Sequence, residues 1–189
     1  MRVIAGSAKS LRLKTLPGLS TRPTQDKIKE TLFNMLYQDV VSCRFLDLFS
    51  GSGAIGIEAL SRGAASCTFI EQNHDAVAII KENLAFTHLS SCATIIKKDV
   101  LSALKALKTK SNTAPFDIIF LDPPYHLGIE KAILLELFDS SLITQESMII
   151  IESDKHTSFN YIKEINYTLI KEKHYKNNKH IFLRPGGNL

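Results

Sequence analysis

Two stretches of this chain carry residues whose types and spacing suit chemistry. The first, Phe45-Leu46-Asp47-Leu48-Phe49-Ser50-Gly51-Ser52-Gly53-Ala54-Ile55-Gly56, joins an apolar run to a helical pattern through a Gly-x-Gly-x-x-Gly turn. Gly51 permits a tight turn, Gly53 lets backbone approach a ligand, and Gly56 lets the next helix pack on the strand. Glu71 closes the following apolar run, about 20 residues on, where a carboxylate accepts hydrogen bonds from a ribose diol. Together they point to a nucleoside-bearing cofactor.

The turn alone leaves two cofactors open. In a nicotinamide site the glycines cradle a pyrophosphate. In methyltransferases the same turn lies under the aminoacyl part of S-adenosylmethionine, and an acid in the preceding strand helps hold its ammonium; Asp47 occupies that place. Asp99 follows a third apolar run, where it would accept from an adenine amino group or simply cap the helix starting at Val100.

The second stretch, Phe116-Asp117-Ile118-Ile119-Phe120-Leu121-Asp122-Pro123-Pro124-Tyr125, separates them. Ligands of open α/β sheets sit outside the carboxyl ends of the strands, and Asp122 falls at such an end. The fourth strand is expected to neighbour the first across the switch point. Two consecutive prolines fix φ and remove two N–H groups, leaving rigidly aimed carbonyls. An exocyclic nucleobase amine is a poor nucleophile, because its lone pair is delocalised into the ring. The Asp122 carboxylate and the Pro123 carbonyl can take both N–H bonds and favour a more tetrahedral nitrogen. Asp122 can also receive the proton released on methyl transfer. Tyr125 offers a face for a flipped-out base, worth about 1–3 kcal/mol of stacking.

The elements that must position these residues follow from the hydropathy pattern. Apolar runs at 45–49, 67–70, 93–96, 116–121, 148–151, 167–170 and 181–183 read as seven strands. Stretches long enough for crossover helices separate the first five, such as 75–86 with Val77, Ile80 and Leu84 on one face. This predicts a doubly wound, mostly parallel α/β sheet, with the last two strands antiparallel because only about ten residues join them. Ahead of it, residues 2–16 read as a small basic hairpin. Pro17-Gly18 and Arg22-Pro23 mark a loop, and a helix follows with Thr24 as N-cap and Ile28, Thr31, Leu32, Met35 and Leu36 on its inner face. We expect one domain over 1–189, made of a basic extension at 1–23 and a catalytic α/β core at 24–189.

Charge is unevenly spread. The formal net charge is +4, yet residues 1–30 carry +5, residues 31–154 carry −6 and residues 155–189 carry +5. Two basic ends suggest a polyanion gripped at the termini. Cys43, Cys67 and Cys92 form no CxxC pair and fit reduced thiols, the first two in the core. Six scattered histidines predict no metal site. No apolar run reaches the ~18 residues of a membrane span, and the first residues are too briefly apolar for a signal peptide, so a cytoplasmic location is expected.

The whole pattern resembles class I S-adenosylmethionine-dependent methyltransferases that act on amines. Arg2-Val3-Ile4-Ala5-Gly6, Thr21-Arg22-Pro23-Thr24, Lys29-Glu30-Thr31-Leu32-Phe33-Asn34 and the stretch 45–64 narrow the resemblance to the RsmD-type bacterial 16S rRNA guanine-N2 methyltransferases. It covers nearly the whole chain, though 155–189 match in pattern only. The resemblance implies a seven-stranded Rossmann-like fold and methyl transfer to a guanine N2 of the small ribosomal subunit. We expect the transfer to need no metal, and a compact monomer suits a particle-sized substrate. The resemblance also implies cofactor contacts at Asp47, Phe49, Gly51, Ser52, Gly53, Glu71, Gln72, Asp99 and Val100, and a catalytic pocket at Asp122, Pro123, Pro124 and Tyr125. Arg22 and Thr24 match family positions near the pocket, and with Arg12 and Lys14 they form the candidate RNA contacts.

Three other readings are weighed against this one. An adenine-N6 methyltransferase acting on DNA or RNA shares the Pro-Pro chemistry, but a chain of 189 residues has no room for a separate sequence-reading domain. An NAD(P)-dependent oxidoreductase explains the glycines and Glu71 and gives Asp122–Tyr125 no work. A ribosome-assembly factor without catalysis has no need of an intact pocket motif.

Overall fold

The alternation of apolar runs and amphipathic stretches folds as five α-helices and seven strands among the described residues. A computed structural model describes residues 1–16, 23–110, 113–124 and 128–187, without the side chains of 23 and 24. The elements are α1 (Pro23–Met35), β1 (Arg44–Leu48), α2 (Ala54–Ser61), β2 (Ser66–Ile70), α3 (His74–Phe86), β3 (Ala93–Ile96), α4 (Val100–Lys108), β4 (Ile118–Leu121), α5 (Glu130–Phe138), β5 (Met148–Asp154), β6 (Tyr167–His174) and β7 (Asn178–Pro185). They fall into two compact units, Met1–Asp99 and Val100–Leu189.

In the first unit β1 and β3 each pair in parallel with β2. Strands joined in parallel need crossovers, and α2 and α3 supply them. Phe45, Leu46, Leu48, Phe69 and Ile70 are all buried, as strands covered on both faces require. Asn73 caps α3: its side chain accepts from the N–H groups of Asp75 and Ala76. The second unit begins the same way, with β4 parallel to β5, and then reverses. β7 runs antiparallel to both β5 and β6. The expected α/β class, mostly parallel with an antiparallel end, is what forms.

Two local expectations are corrected. Helix α1 begins at Pro23, so Thr24 lies inside the first turn and is not its N-cap. Proline suits that position, since its fixed φ is helical and its missing N–H would have been unsatisfied anyway. The basic hairpin shrinks to one antiparallel bridge, Arg2 with Arg12. Backbone bonds Val3 N–H to Leu11 O (2.9 Å) and Ser10 N–H to Val3 O (2.8 Å) flank it. What holds this segment is α2. Ile4 and Ala5 donate their N–H groups to the Glu58 carboxylate at 2.8 and 3.1 Å. Ala8 N–H donates to Ser61 Oγ at 2.9 Å, which in turn donates to Ala5 O at 2.6 Å. Gly6, at φ +84°, lies so close that a Cβ would sit 1.7 Å from the Ser61 carbonyl oxygen. No other residue fits there.

Glu58 is wholly buried in α2, the one ionisable residue of that helix. Lys29 Nζ approaches it at 3.1 Å and Arg62 Nε at 2.7 Å, and both cations are themselves nearly buried. Burial pulls the Lys29 ammonium below its ordinary value, against the pull of Glu58. Lys29 also donates to the Arg2 carbonyl at 2.7 Å. Removing the anion strands two cations and two N–H groups. Glu58→Ala is expected to lower the unfolding free energy by about 3–5 kcal/mol, read from urea denaturation. A loss below about 1 kcal/mol, the range of an exposed pair, would show that the network relaxes without its anion.

Candidate functional site

The glycine loop leaves β1 at Leu48 and enters α2 at Ala54. Three of its residues take left-handed backbone: Phe49 at φ +63°, Gly51 at +53° and Gly53 at +77°. For a bulky residue such as Phe49 this conformation costs on the order of 1–3 kcal/mol. It is held by Ser50, whose N–H donates to Ile70 O at 3.0 Å and whose Oγ donates to Asp47 O at 2.7 Å. The three glycines serve different needs. A Cβ on Gly51 would meet nothing within 4 Å, so its requirement is conformational and the space beside it is open. A Cβ on Gly56 would stand 2.3 Å from Phe69 Cε1 and 2.6 Å from Cys67 Sγ, so α2 reaches β2 only through glycine.

Parallel strands bring the acids of the first unit to one edge. Asp47 is the penultimate residue of β1, Glu71 directly follows β2, and Asp99 follows β3 by three residues. Asp47 is buried and accepts the Gly56 N–H at Oδ2, 3.0 Å, fastening the helix start to the strand. Burial raises its carboxyl to about 7; the Gly56 N–H opposes the rise and the Glu71 charge adds to it. Glu71 is half-buried, accepting the Gly51 N–H at 2.8 Å and the Asn73 N–H at 2.8 Å. Gln72 and Asp99 are exposed, Phe49 and Ser52 are half-buried, and Val100 is buried. An anion-lined loop with open backbone fits a ligand carrying a cation and hydroxyl donors, which is the chemistry of an aminoacyl nucleoside.

One residue that the sequence did not single out secures this loop. Asn83 of α3 is buried and donates through Nδ2 to the carbonyls of Ser52 (2.9 Å) and Lys14 (3.0 Å). Its Oδ1 accepts the Lys14 N–H at 2.8 Å. A polar residue on the buried stripe of Ala76, Ile80 and Leu84 is the signal that could have revealed it. Glu58, alone among apolar neighbours, gave a similar signal.

In the second unit β4 delivers the proline turn. Asp122 is exposed, Pro123 buried and Pro124 exposed, directly after Leu121. Tyr125 lies outside the described residues, as does Arg22; of Thr24 only the backbone is described. Among the other basic candidates Arg12 is exposed, and Lys14 is exposed with its Nζ 2.6 Å from Glu82. The basic N-terminal end is smaller than its charge suggested. Lys29 is committed to the interior at Glu58, and Arg2 pairs with Asp26 at 3.5 Å.

Comparison with known proteins adds a lineage to this geometry. Residues 1–184 match the family model "Conserved hypothetical protein 95". The chain belongs to this family. It is 37% identical over 174 residues to "Ribosomal RNA small subunit methyltransferase D" of Haemophilus influenzae, covering 92% of this chain and 88% of that one. It is 43% identical over 155 residues to "Putative rRNA methyltransferase YlbH" of Bacillus subtilis, covering 82% and 83%. Among solved structures, "Putative methyltransferase yhhF from Escherichia coli" superposes with a TM-score of 0.82 at 31% identity, over 100% of this chain and 99% of that one. The methyltransferase fold expected from the sequence is therefore the fold of the family.

The raised Asp47 carboxyl has a measurable consequence. Its folded value, about 7, lies above the ordinary 3.8, so between those values the native state holds a proton that the unfolded chain lacks. The contribution to stability therefore grows as pH falls through 7 and is complete below 3.8. The unfolding free energy of the wild type minus that of Asp47→Asn is expected to increase from pH 8 to pH 5, measured by urea titration. A difference that stays flat over that range would mean the carboxylate remains ionised in the fold.

Proposed function

We propose that this chain transfers a methyl group from S-adenosylmethionine to the exocyclic N2 of a guanine in the 16S rRNA of the small ribosomal subunit. The observation that carries the reading is the proline turn, Asp122-Pro123-Pro124, at the carboxyl end of β4 in a chain of this family. A nicotinamide enzyme has no use for two rigid acceptors there. The small-subunit rRNA named for the Haemophilus relative supplies the substrate class.

The first unit supplies the cofactor contacts. Asp47 and the loop Phe49, Gly51, Ser52 and Gly53 face the aminoacyl end, Glu71 and Gln72 the ribose, and Asp99 with Val100 the adenine. When bound, the cofactor supplies an electrophilic methyl on a sulfonium. Glu71, already fixed by two backbone donors, accepts the diol without first having to be ordered. Phe49 and Gly51 hold the loop in left-handed backbone, which keeps its peptide groups aimed before any ligand arrives.

The second unit supplies the acceptor contacts. Asp122 and the Pro123 carbonyl take the two N–H bonds of the amine and leave its lone pair for in-line attack. The N2–methyl bond forms as the sulfur–methyl bond breaks, and the surplus proton on N2 passes to Asp122. Tyr125 stacks on the base. Arg12, Lys14, Arg22 and Thr24 lie on the RNA side, reading phosphate and not sequence. The protein works in the cytoplasm as a monomer on a particle-sized substrate.

The test is transfer of labelled methyl to three substrates: small subunits lacking the modification, naked rRNA and DNA. Label in N2-methylguanosine from the small subunit is expected; N6-methyladenosine as the only product, or nicotinamide binding without S-adenosylhomocysteine binding, would overturn the reading. Asp122→Ala is expected to lower kcat by about 10²-fold or more while cofactor affinity stays within about threefold, roughly 0.6 kcal/mol, by calorimetry. Retained turnover would mean that another group orients the amine. Replacing Arg12, Lys14 and Arg22 with alanine together is expected to flatten the dependence of RNA affinity on salt, by about 0.7 in slope for each phosphate no longer neutralised. An unchanged slope would remove these residues from the interface.

A further inference from the structure

One side-chain cluster of the second unit has been given no part in the cofactor and amine contacts. Glu152 of β5 presents its Oε2 2.9 Å from His180 Nε2, and its Oε1 accepts from Asn178 Nδ2. His180 is completely buried, with Nδ1 3.3 Å from the Tyr175 hydroxyl. The Tyr175 ring meets the imidazole edge-on at 5.1 Å and the Phe120 ring of β4 does so at 6.1 Å. The imidazole is thus locked in place, and with it the carboxylate. The Glu152 side chain remains 18% exposed. A carboxylate offers about four acceptor positions, and these two donors leave room for more.

Strand register places this carboxylate beside the proline turn. Leu121 of β4 is the partner of Ile151 in β5, and Glu152 is the partner of His180 in β7. One step beyond the Leu121–Ile151 pair stand Asp122 and Glu152. Residues at equal register leave a sheet on the same face, and adjacent strands lie about 4.8 Å apart. Asp122, Glu152 and His180 therefore form a row from the residue after β4, through β5, to the amino-terminal part of the antiparallel β7. The row holds two carboxylates, of which Asp122 takes the amine.

We infer that Glu152 is a specificity-determining residue: it accepts the N1–H of the guanine whose amine is held by Asp122 and Pro123, with His180 and Asn178 positioning its carboxylate. This rests on the proposed transfer to guanine N2. Guanine carries N1–H and the N2 amine as adjacent donors on one edge. Two acceptors on adjacent strands match that edge. Adenine, with its amine in the same clamp, would point the N1 lone pair at the carboxylate, and the acceptor would be left without a donor. Electrostatics at Glu152 thus selects the base while the Asp122 turn acts on the amine.

The experiment compares two rRNAs that differ at the target position alone, one with guanine and one with 2,6-diaminopurine. Diaminopurine keeps the N2 amine but has a lone pair at N1. The wild type is expected to prefer guanine by about 10²-fold or more in kcat/KM, since a site built on a hydrogen bond rejects the analogue lacking it. Glu152→Gln, whose amide can donate to a bare N1, is expected to narrow that ratio at least tenfold, with a normal melting temperature. A wild type indifferent to the exchange overturns the inference without need of any variant. Equal losses of Glu152→Gln on both substrates also overturn it, for they would mark a merely structural carboxylate. Failure of the underlying reading looks different: no methyl on N2 of the target base in either rRNA.

Discussion

A single hydrogen bond, from the Gly56 N–H to the buried Asp47 carboxylate, constrains most of what the first unit can do. It ties the first turn of α2 back to the end of β1, so the eight residues between them have no freedom to extend. The chain closes that gap through left-handed backbone at Phe49, Gly51 and Gly53. Burial makes the bond strong and the charge expensive at once, which is why the carboxyl is drawn up to about 7. An acid in that condition is poised to gain from a nearby cation.

The remaining devices of the first unit reinforce that loop from two sides. Glu71 holds the Gly51 N–H from the next strand, and Asn83 holds the Ser52 carbonyl from α3. Asn83 also grips Lys14 through both its N–H and its carbonyl. The N-terminal segment is therefore part of the loop's scaffold as well as a candidate RNA contact. A substitution at Lys14 that perturbs the backbone would reach the loop through one side chain.

Where a short apolar run lay between turns, the strands were legible. β3 occupies the expected 93–96, and the crossover helix expected at 75–86 begins one residue earlier at His74. Strand ends were legible only where burial and hydrophobicity agree. β7 was expected at 181–183 but starts at Asn178, because Asn178, Lys179 and His180 are buried by pairing with Glu152 and Glu172. β4 is shorter than its apolar run; Phe116 instead bonds the Leu142 carbonyl and the Ser147 hydroxyl. The glycine and proline motifs were read from local chemistry. Glu58 and Asn83 stand out locally only as polar residues among apolar ones; their roles, like that of the Glu152–His180 pair, come from partners more than 25 residues away.

The docking of residues 3–8 onto α2 has a consequence for the order of assembly. The N–H groups of Ile4 and Ala5 find their acceptor on a side chain 54 and 53 residues further along, and Gly6 packs on the carbonyl of Ser61. During synthesis these residues emerge before α2, so their acceptors on that helix are missing until it has emerged and formed. Contacts of such sequence separation are costly to close and form late. The opening segment is thus the last piece of the first unit to settle. Its arrival completes the hydrogen bonds of a carboxylate that the earlier-forming helix would otherwise hold half-satisfied.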